Sequence, residues 1–266
     1  MNRRDLLRAS AVLGATGAAV TGTGPLTGPL TGAHAATLSG PGAAGATDES
    51  SAVDESSAVE ADRSGPLRVH VVMFDGVEEL DFAAPYEVFS AARFFTTRPV
   101  AVRYVTAGRP GYVRGAYGTR VRVEHGWEPG AADVIVVPGG GYARREDPGV
   151  WAEIRKGTLP RALREAARPG LTLSGLCTGV MLLSAAGLTS GRPCTTHHKA
   201  RPDLAAQGGR VKEARVVDDG DLVTAGGITS GLELALWLVR RELGPDTAFG
   251  LEAMLEYEAR GTVWSR

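Results

Sequence analysis

Between Leu67 and Tyr257, apolar runs of strand length alternate with stretches whose apolar residues recur every three or four positions. Val69-His70-Val71-Val72-Met73-Phe74 and Asp133-Val134-Ile135-Val136-Val137 are near-continuous apolar runs, the mark of parallel strands covered on both faces. Val100–Thr106, Val121–Val123, Leu171–Ser174, Arg215–Val217 and Leu222–Thr224 read as further strands, with a glycine-rich connection over 108–118. Helical spacing predicts helices over Leu80–Arg93, Trp151–Ala167, Val180–Ala186, Ile228–Leu243 and Asp246–Tyr257. In the first, Leu80, Ala84, Val88 and Ala91 form the inward stripe; in the fourth, Ile228, Leu232, Ala235, Leu236 and Val239 do. This alternation predicts one α/β domain over 66–258, a mostly parallel central sheet with helices on both faces, and a tail over 259–266.

The N-terminal quarter follows neither period. Residues 1–35 carry Arg3-Arg4, a weakly apolar Ala/Gly-rich stretch and the small-x-small sequence Ala33-His34-Ala35. That is the layout of a signal peptide, and the twin arginine resembles a Tat-type signal, with Asn2 where Ser or Thr is usual. The protein is therefore expected outside the cytoplasm, periplasmic or extracellular, with no stable membrane anchor; a plain Ala/Gly tail is the alternative. Residues 36–65 read as a linker, with the hexapeptide Asp-Glu-Ser-Ser-Ala-Val repeated at 48–53 and 54–59 and too little apolar surface to fold. Across all 266 residues, 29 basic side chains against 30 acidic ones leave a net charge of -1, which gives no footing for nucleic acid.

In a parallel sheet, ligands gather at the carboxyl ends of the strands. Three loops there carry candidate chemistry: 78–81, 139–141 and 175–178. Ser174-Gly175-Leu176-Cys177-Thr178-Gly179 sets a cysteine between small residues where a strand meets a helix. This is the pattern of a nucleophile elbow, and a helix N-terminus there favours thiolate. A small buried core cysteine is the alternative. Gly139 and Gly140 follow a strand, and the N–H groups of Gly140 and Thr178 are expected to form an anion-stabilising pair; a plain turn is the competing reading. On spacing alone Asp81 reads as a helix cap. His197-His198 lack a third ligand at recognisable spacing, so no metal is expected. Cys194 reads as structural, although a bridge to Cys177 is open with two cysteines in the chain.

Seven segments in order carry a family resemblance: Asp75-Gly76-Val77-Glu78-Glu79-Leu80-Asp81 with Pro85-Tyr86-Glu87-Val88-Phe89; Val137-Pro138-Gly139-Gly140; Cys177-Thr178-Gly179; Ala186-Gly187-Leu188 with Gly191-Arg192; Thr195-Thr196-His197; Thr224 to Gly231; and Leu255-Glu256-Tyr257. Together they resemble the ThiJ/PfpI superfamily, which is class I glutamine amidotransferase-like, and within it the isonitrile hydratase branch and the ligand-binding half of related transcription regulators. The resemblance implies a flavodoxin-like sandwich, Cys177 as nucleophile and Asp81 as the acid beside it, and a homodimer. Thr178 stands where the protease-like branch has histidine, which weakens a peptidase triad; His197 takes a supporting role. No DNA-binding domain is expected after this one.

The expected activity is that of a hydro-lyase without cofactors, acting on a small molecule. Cys177 attacks an isonitrile carbon to give a thioimidate while Asp81 delivers a proton, and water then releases an N-substituted formamide. Phe82 and Tyr86 are expected to suit a carbon-rich substrate. A cysteine amidase or peptidase, or a glyoxalase-like carbonyl enzyme, is the second reading; an exported ligand-binding or redox-sensing module is the third.

Overall fold

The computed structural model describes residues 65–266. The expected leader over 1–35, and all but the last residue of the expected linker over 36–65, lie outside the described residues. In chain order the main elements are β1 (Leu67–Val72), α1 (Glu79–Ala91), β2 (Val100–Val105), β3 (Gly111–Arg114), β4 (Arg120–Val123), β5 (Val134–Val137), α2 (Val150–Lys156), α3 (Thr158–Ala166), β6 (Thr172–Leu176), α4 (Val180–Ala185), β7 (Pro193–Cys194), α5 (Arg201–Ala206), β8 (Arg210–Val211), β9 (Val216–Asp218), β10 (Leu222–Ala225), α6 (Ser230–Leu243), α7 (Pro245–Leu255) and β11 (Val263–Ser265).

The central sheet has seven strands in the order β11-β9-β10-β6-β5-β1-β2. β10, β6, β5, β1 and β2 run parallel. β9 returns antiparallel to β10, and β11 lies parallel to β9. β5 is buried at every position, as is β6, because helices cover both faces. The expected mostly parallel α/β sandwich is thus the observed fold. Among the described residues, no helix is long and apolar enough to cross a membrane.

Four local expectations are corrected. The glycine-rich connection over 108–118 contains β3, which pairs antiparallel with β4 as a hairpin outside the main sheet. The single helix expected over Trp151–Ala167 is two, α2 and α3, broken at Gly157, whose φ of +71° and bonding back to Glu153 and Ile154 end the first. The tail expected over 259–266 supplies β11, which needs only a short apolar stretch because β9 offers an open edge. Helix α6 starts at Ser230 rather than Ile228, whose φ of +37° ends the preceding loop.

The inward face of α1 also differs from the expected stripe. Leu80 is exposed while Asp81, Phe82, Ala84, Pro85, Val88 and Phe89 are buried. Gly231 explains the close seat of α6 on this helix: a Cβ there would lie 2.8 Å from Leu176 Cδ1 and 3.7 Å from both Ala84 and Pro85.

Candidate active site

The carboxyl ends of four adjacent parallel strands, β10, β6, β5 and β1, deliver the site. The turn after β6 carries Cys177 with φ +51°, a left-handed conformation that costs an L-residue about 1–2 kcal/mol. Two hydrogen bonds and one close approach hold it there. Cys177 N–H donates to the Gly226 carbonyl (2.7 Å), and the Thr196 hydroxyl donates to the Cys177 carbonyl (2.6 Å). The third is steric: glycine at 179 lets the turn press against β5, since a Cβ there would lie 2.1 Å from the Val137 carbonyl oxygen. The elbow read from the sequence is therefore present, with its side chain 5% exposed.

Asp81 reaches this thiol from the first turns of α1. It is fully buried and does not cap its helix. Its Oδ2 accepts the Gly139 N–H (2.8 Å), its Oδ1 is buried without a hydrogen-bond partner within the protein, and the carboxyl lies beside the Cys177 thiol. Burial raises the Asp81 carboxyl to about 8; the Gly139 N–H opposes this, Glu78 reinforces it and the thiol contact opposes it. Glu78, at the rim, is itself raised by partial burial and by Glu79.

Burial also pushes the Cys177 thiol up to about 12, with Asp81 adding to the rise, while N–H groups of Ile228 and Thr178 and the Thr178 hydroxyl pull it back. The expected helix-assisted thiolate is thereby corrected. Helix α4 has six residues and follows a short 3₁₀ turn, too little dipole to offset desolvation beside a carboxyl group.

The expected pair of N–H donors is corrected too. Gly140 N–H donates to Thr178 Oγ1 (3.0 Å) rather than facing the sulfur. Thr178 thus links the loop after β5 to the thiol, accepting from Gly140 and turning its hydroxyl and N–H toward Cys177. The second backbone donor is Ile228, which the sequence reading missed. The signal available was the glycine-rich run Gly226-Gly227-Ile228-Thr229-Ser230-Gly231, which marks a tight turn after β10; that Ile228 takes φ +37° there is against the preference of a β-branched residue. Gly139 and Gly140 admit no side chain: a Cβ would lie 2.5 Å from Thr178 Oγ1 at the first and 2.1 Å from the Gly76 carbonyl oxygen at the second.

His197 sits one layer away. Its ring packs on Gly227, where a Cβ would approach Cδ2 to 2.4 Å, and its Nδ1 accepts the Lys199 N–H (3.2 Å). Burial, reinforced by the neighbouring His198, Lys199 and Arg201, lowers its pKa from the usual histidine value, which favours the neutral ring. Phe82 and Tyr86 do not gather at the thiol. Phe82 meets Tyr104 edge-on at 5.7 Å, and Tyr86 stacks on the same ring at 4.4 Å; these rings tie α1 to β2. Cys194 packs with Val180, Met181, Ala200 and Leu204. Both cysteines are free thiols.

Residues 67–241 match the sequence profile of the DJ-1/PfpI family. The chain belongs to that family. Isonitrile hydratase from Pseudomonas putida is 31% identical over 192 residues, covering 72% of this chain and 78% of that one. The Parkinson disease protein 7 homolog of Danio rerio is 27% identical over 198 residues, covering 71% and 96%. Among solved structures, a ThiJ/PfpI family protein from Pseudomonas syringae superposes with a TM-score of 0.63 at 24% identity, over 73% of this chain and 76% of that one. The buried cysteine on a left-handed turn thus lies within a DJ-1/PfpI domain, and the family includes enzymes such as isonitrile hydratase.

Proposed function

We propose that this DJ-1/PfpI protein is a cysteine enzyme that adds water to an isonitrile, releasing an N-substituted formamide. The observation that carries the reading is the placement of the buried Asp81 carboxyl beside the buried Cys177 thiol, where burial raises both toward their protonated forms. An isonitrile carbon takes up a proton and a nucleophile at the same atom, so a proton donor and a sulfur side by side suit it.

In the first step Asp81 gives its proton to the isonitrile carbon and Cys177 sulfur forms a bond to that carbon. The thiol proton passes to the vacated carboxylate, and the product is a thioimidate. Water then adds to the carbon–nitrogen double bond, with Asp81 protonating nitrogen and accepting a proton from water. Collapse breaks the carbon–sulfur bond, returns the electron pair and a proton to sulfur, and frees the formamide. Thr178 and Ile228 N–H groups steady charge on sulfur as that bond forms and breaks.

The test is formamide release from cyclohexyl isonitrile. Cys177→Ala should abolish it, and Asp81→Asn should reduce kcat by roughly 10²–10⁴-fold. Retained turnover in Cys177→Ala would end the nucleophile assignment. A cysteine–histidine amidase or peptidase is the second reading, and the turn of His197 toward Gly227 and Lys199 disfavours it; hydrolysis of amides without isonitrile turnover would reverse the ranking. Export through the leader over 1–35 and a homodimeric state belong to the same proposal, to be checked by cell fractionation and by solution mass.

A further inference from the structure

We propose that the cleft beside the Cys177 turn is an anion subsite, so that the substrate carries a carboxylate or similar group beyond its reacting carbon. The inference rests on Cys177 as nucleophile and adds the class of molecule it meets.

Gly226, Gly227 and Ile228 form part of the wall of the cleft, about 520 Å³. That part is the backbone that accepts the Cys177 N–H and turns the Ile228 N–H to the sulfur. A molecule seated in the cleft therefore lies against the segment that holds the thiol.

Most of the other lining residues carry polar side chains, with hydrogen-bond donors outnumbering the single carboxylate, Glu213. Arg201 is 30% exposed, its Nε is buried without a partner within the protein, and its ion pair with Glu213 is long (3.7 Å), the Glu213 carboxylate being 90% exposed. Ser230 is fully buried, lines the same cleft and leaves its Oγ without a partner. His197 spends Nδ1 as an acceptor, so in the neutral ring Nε2 carries the proton and donates. Arg215, by contrast, is committed to Glu233 and to Thr229 Oγ1. A guanidinium, an imidazole N–H and a hydroxyl, all on residues that line one cleft, match the acceptor-only character of a carboxylate. With Phe82 and Tyr86 occupied by Tyr104, no aromatic wall competes for an apolar substituent.

The experiment uses two alkylating probes with the same leaving group and different charge, iodoacetate and iodoacetamide, on the full chain at alkaline pH. Label at Cys177 is read by peptide mass, which separates it from Cys194. The iodoacetate-to-iodoacetamide rate ratio should fall roughly tenfold or more in Arg201→Met, recover in part in Arg201→Lys, and fall less in Ser230→Ala. Ser230→Ala keeps the test open if Arg201→Met does not fold. An unchanged ratio in folded variants overturns the subsite. In parallel, isocyanoacetate and cyclohexyl isonitrile are offered as substrates, with kcat/KM favouring isocyanoacetate in the wild type and that preference lost in Arg201→Met. Absence of turnover with both would overturn the hydratase reading alone, since the alkylation ratio reports the subsite without it.

Discussion

A carboxyl group kept from water holds its proton past the pH at which a solvated one gives it up, and Asp81 does so to about 8. Its folded value lies above the ordinary 3.8, so the stability it contributes is fully present below about pH 4 and is lost as pH rises through about 8. The slope reaches up to about 1.4 kcal/mol per pH unit across that window. Asp81→Asn, neutral throughout, should lose this slope, which thermal unfolding at about pH 5 and about pH 8 would measure. In turnover the same group acts as an acid, so kcat/KM should fall above about pH 8 in the wild type, and residual Asp81→Asn activity should lack that limb. Cys177 was legible from its small neighbours because a turn between strand and helix demands them. Asp81 was not, since spacing made it a cap with Leu80 inside; packing against β1 and α6 rotates the helix the other way, and only the resemblance pointed to its place beside the thiol.

At the level of elements, the turn after β6 depends on space rather than on sequence preference. Gly179 has an ordinary helical φ of -61°, yet a Cβ would meet the Val137 and Pro138 carbonyl oxygens at 2.1 and 2.4 Å. Gly187, closing α4, has φ +81° and open space around it. Gly187→Ala should therefore cost only the left-handed penalty, about 1–2 kcal/mol, with Cys177 alkylation unchanged. Gly179→Ala should cost more than that and change Cys177 reactivity, because β5 and the elbow must move apart. Urea unfolding of the pair, with alkylation rates, tests the contrast. The strands β1, β5 and β6 were legible because each is a mainly apolar run of strand length bounded by turn residues. β3, the break at Gly157 and β11 were not, because a short hairpin, one left-handed glycine and an edge strand take their meaning from neighbours distant in sequence.

Over the whole molecule, one ionic cluster ties the helix layer to the sheet. Arg241 on α6 donates to Asp218 on β9 (3.1 Å), to the Gly220 carbonyl (2.9 Å) and to Thr172 Oγ1 on β6 (2.6 Å), while Trp237 Nε1 also donates to Asp218 (2.7 Å). Asp218 is buried, so Arg241→Met leaves its carboxylate with the Trp237 and Gly220 N–H donors but no cation, and should cost roughly 3 kcal/mol, read as a lower urea midpoint. The Asp81–Cys177 pair lies elsewhere in the fold, so the pH limb at about 8 should persist in that variant. Neither half of this cluster was visible from charge patterning, because its members are far apart in the chain.

The burial that lifts Cys177 from the usual 9.0 to about 12 leaves the native chain about a thousandfold less thiolate near neutrality than the unfolded one. The fold therefore works as a safety catch on its own cysteine. Electrophiles and oxidants at neutral pH should mark molecules that have opened rather than those that are intact, and iodoacetamide labelling at low urea should track the opened fraction. Misfolded copies would carry the chemical scars, and folded copies would reach their substrate with the sulfur unspent.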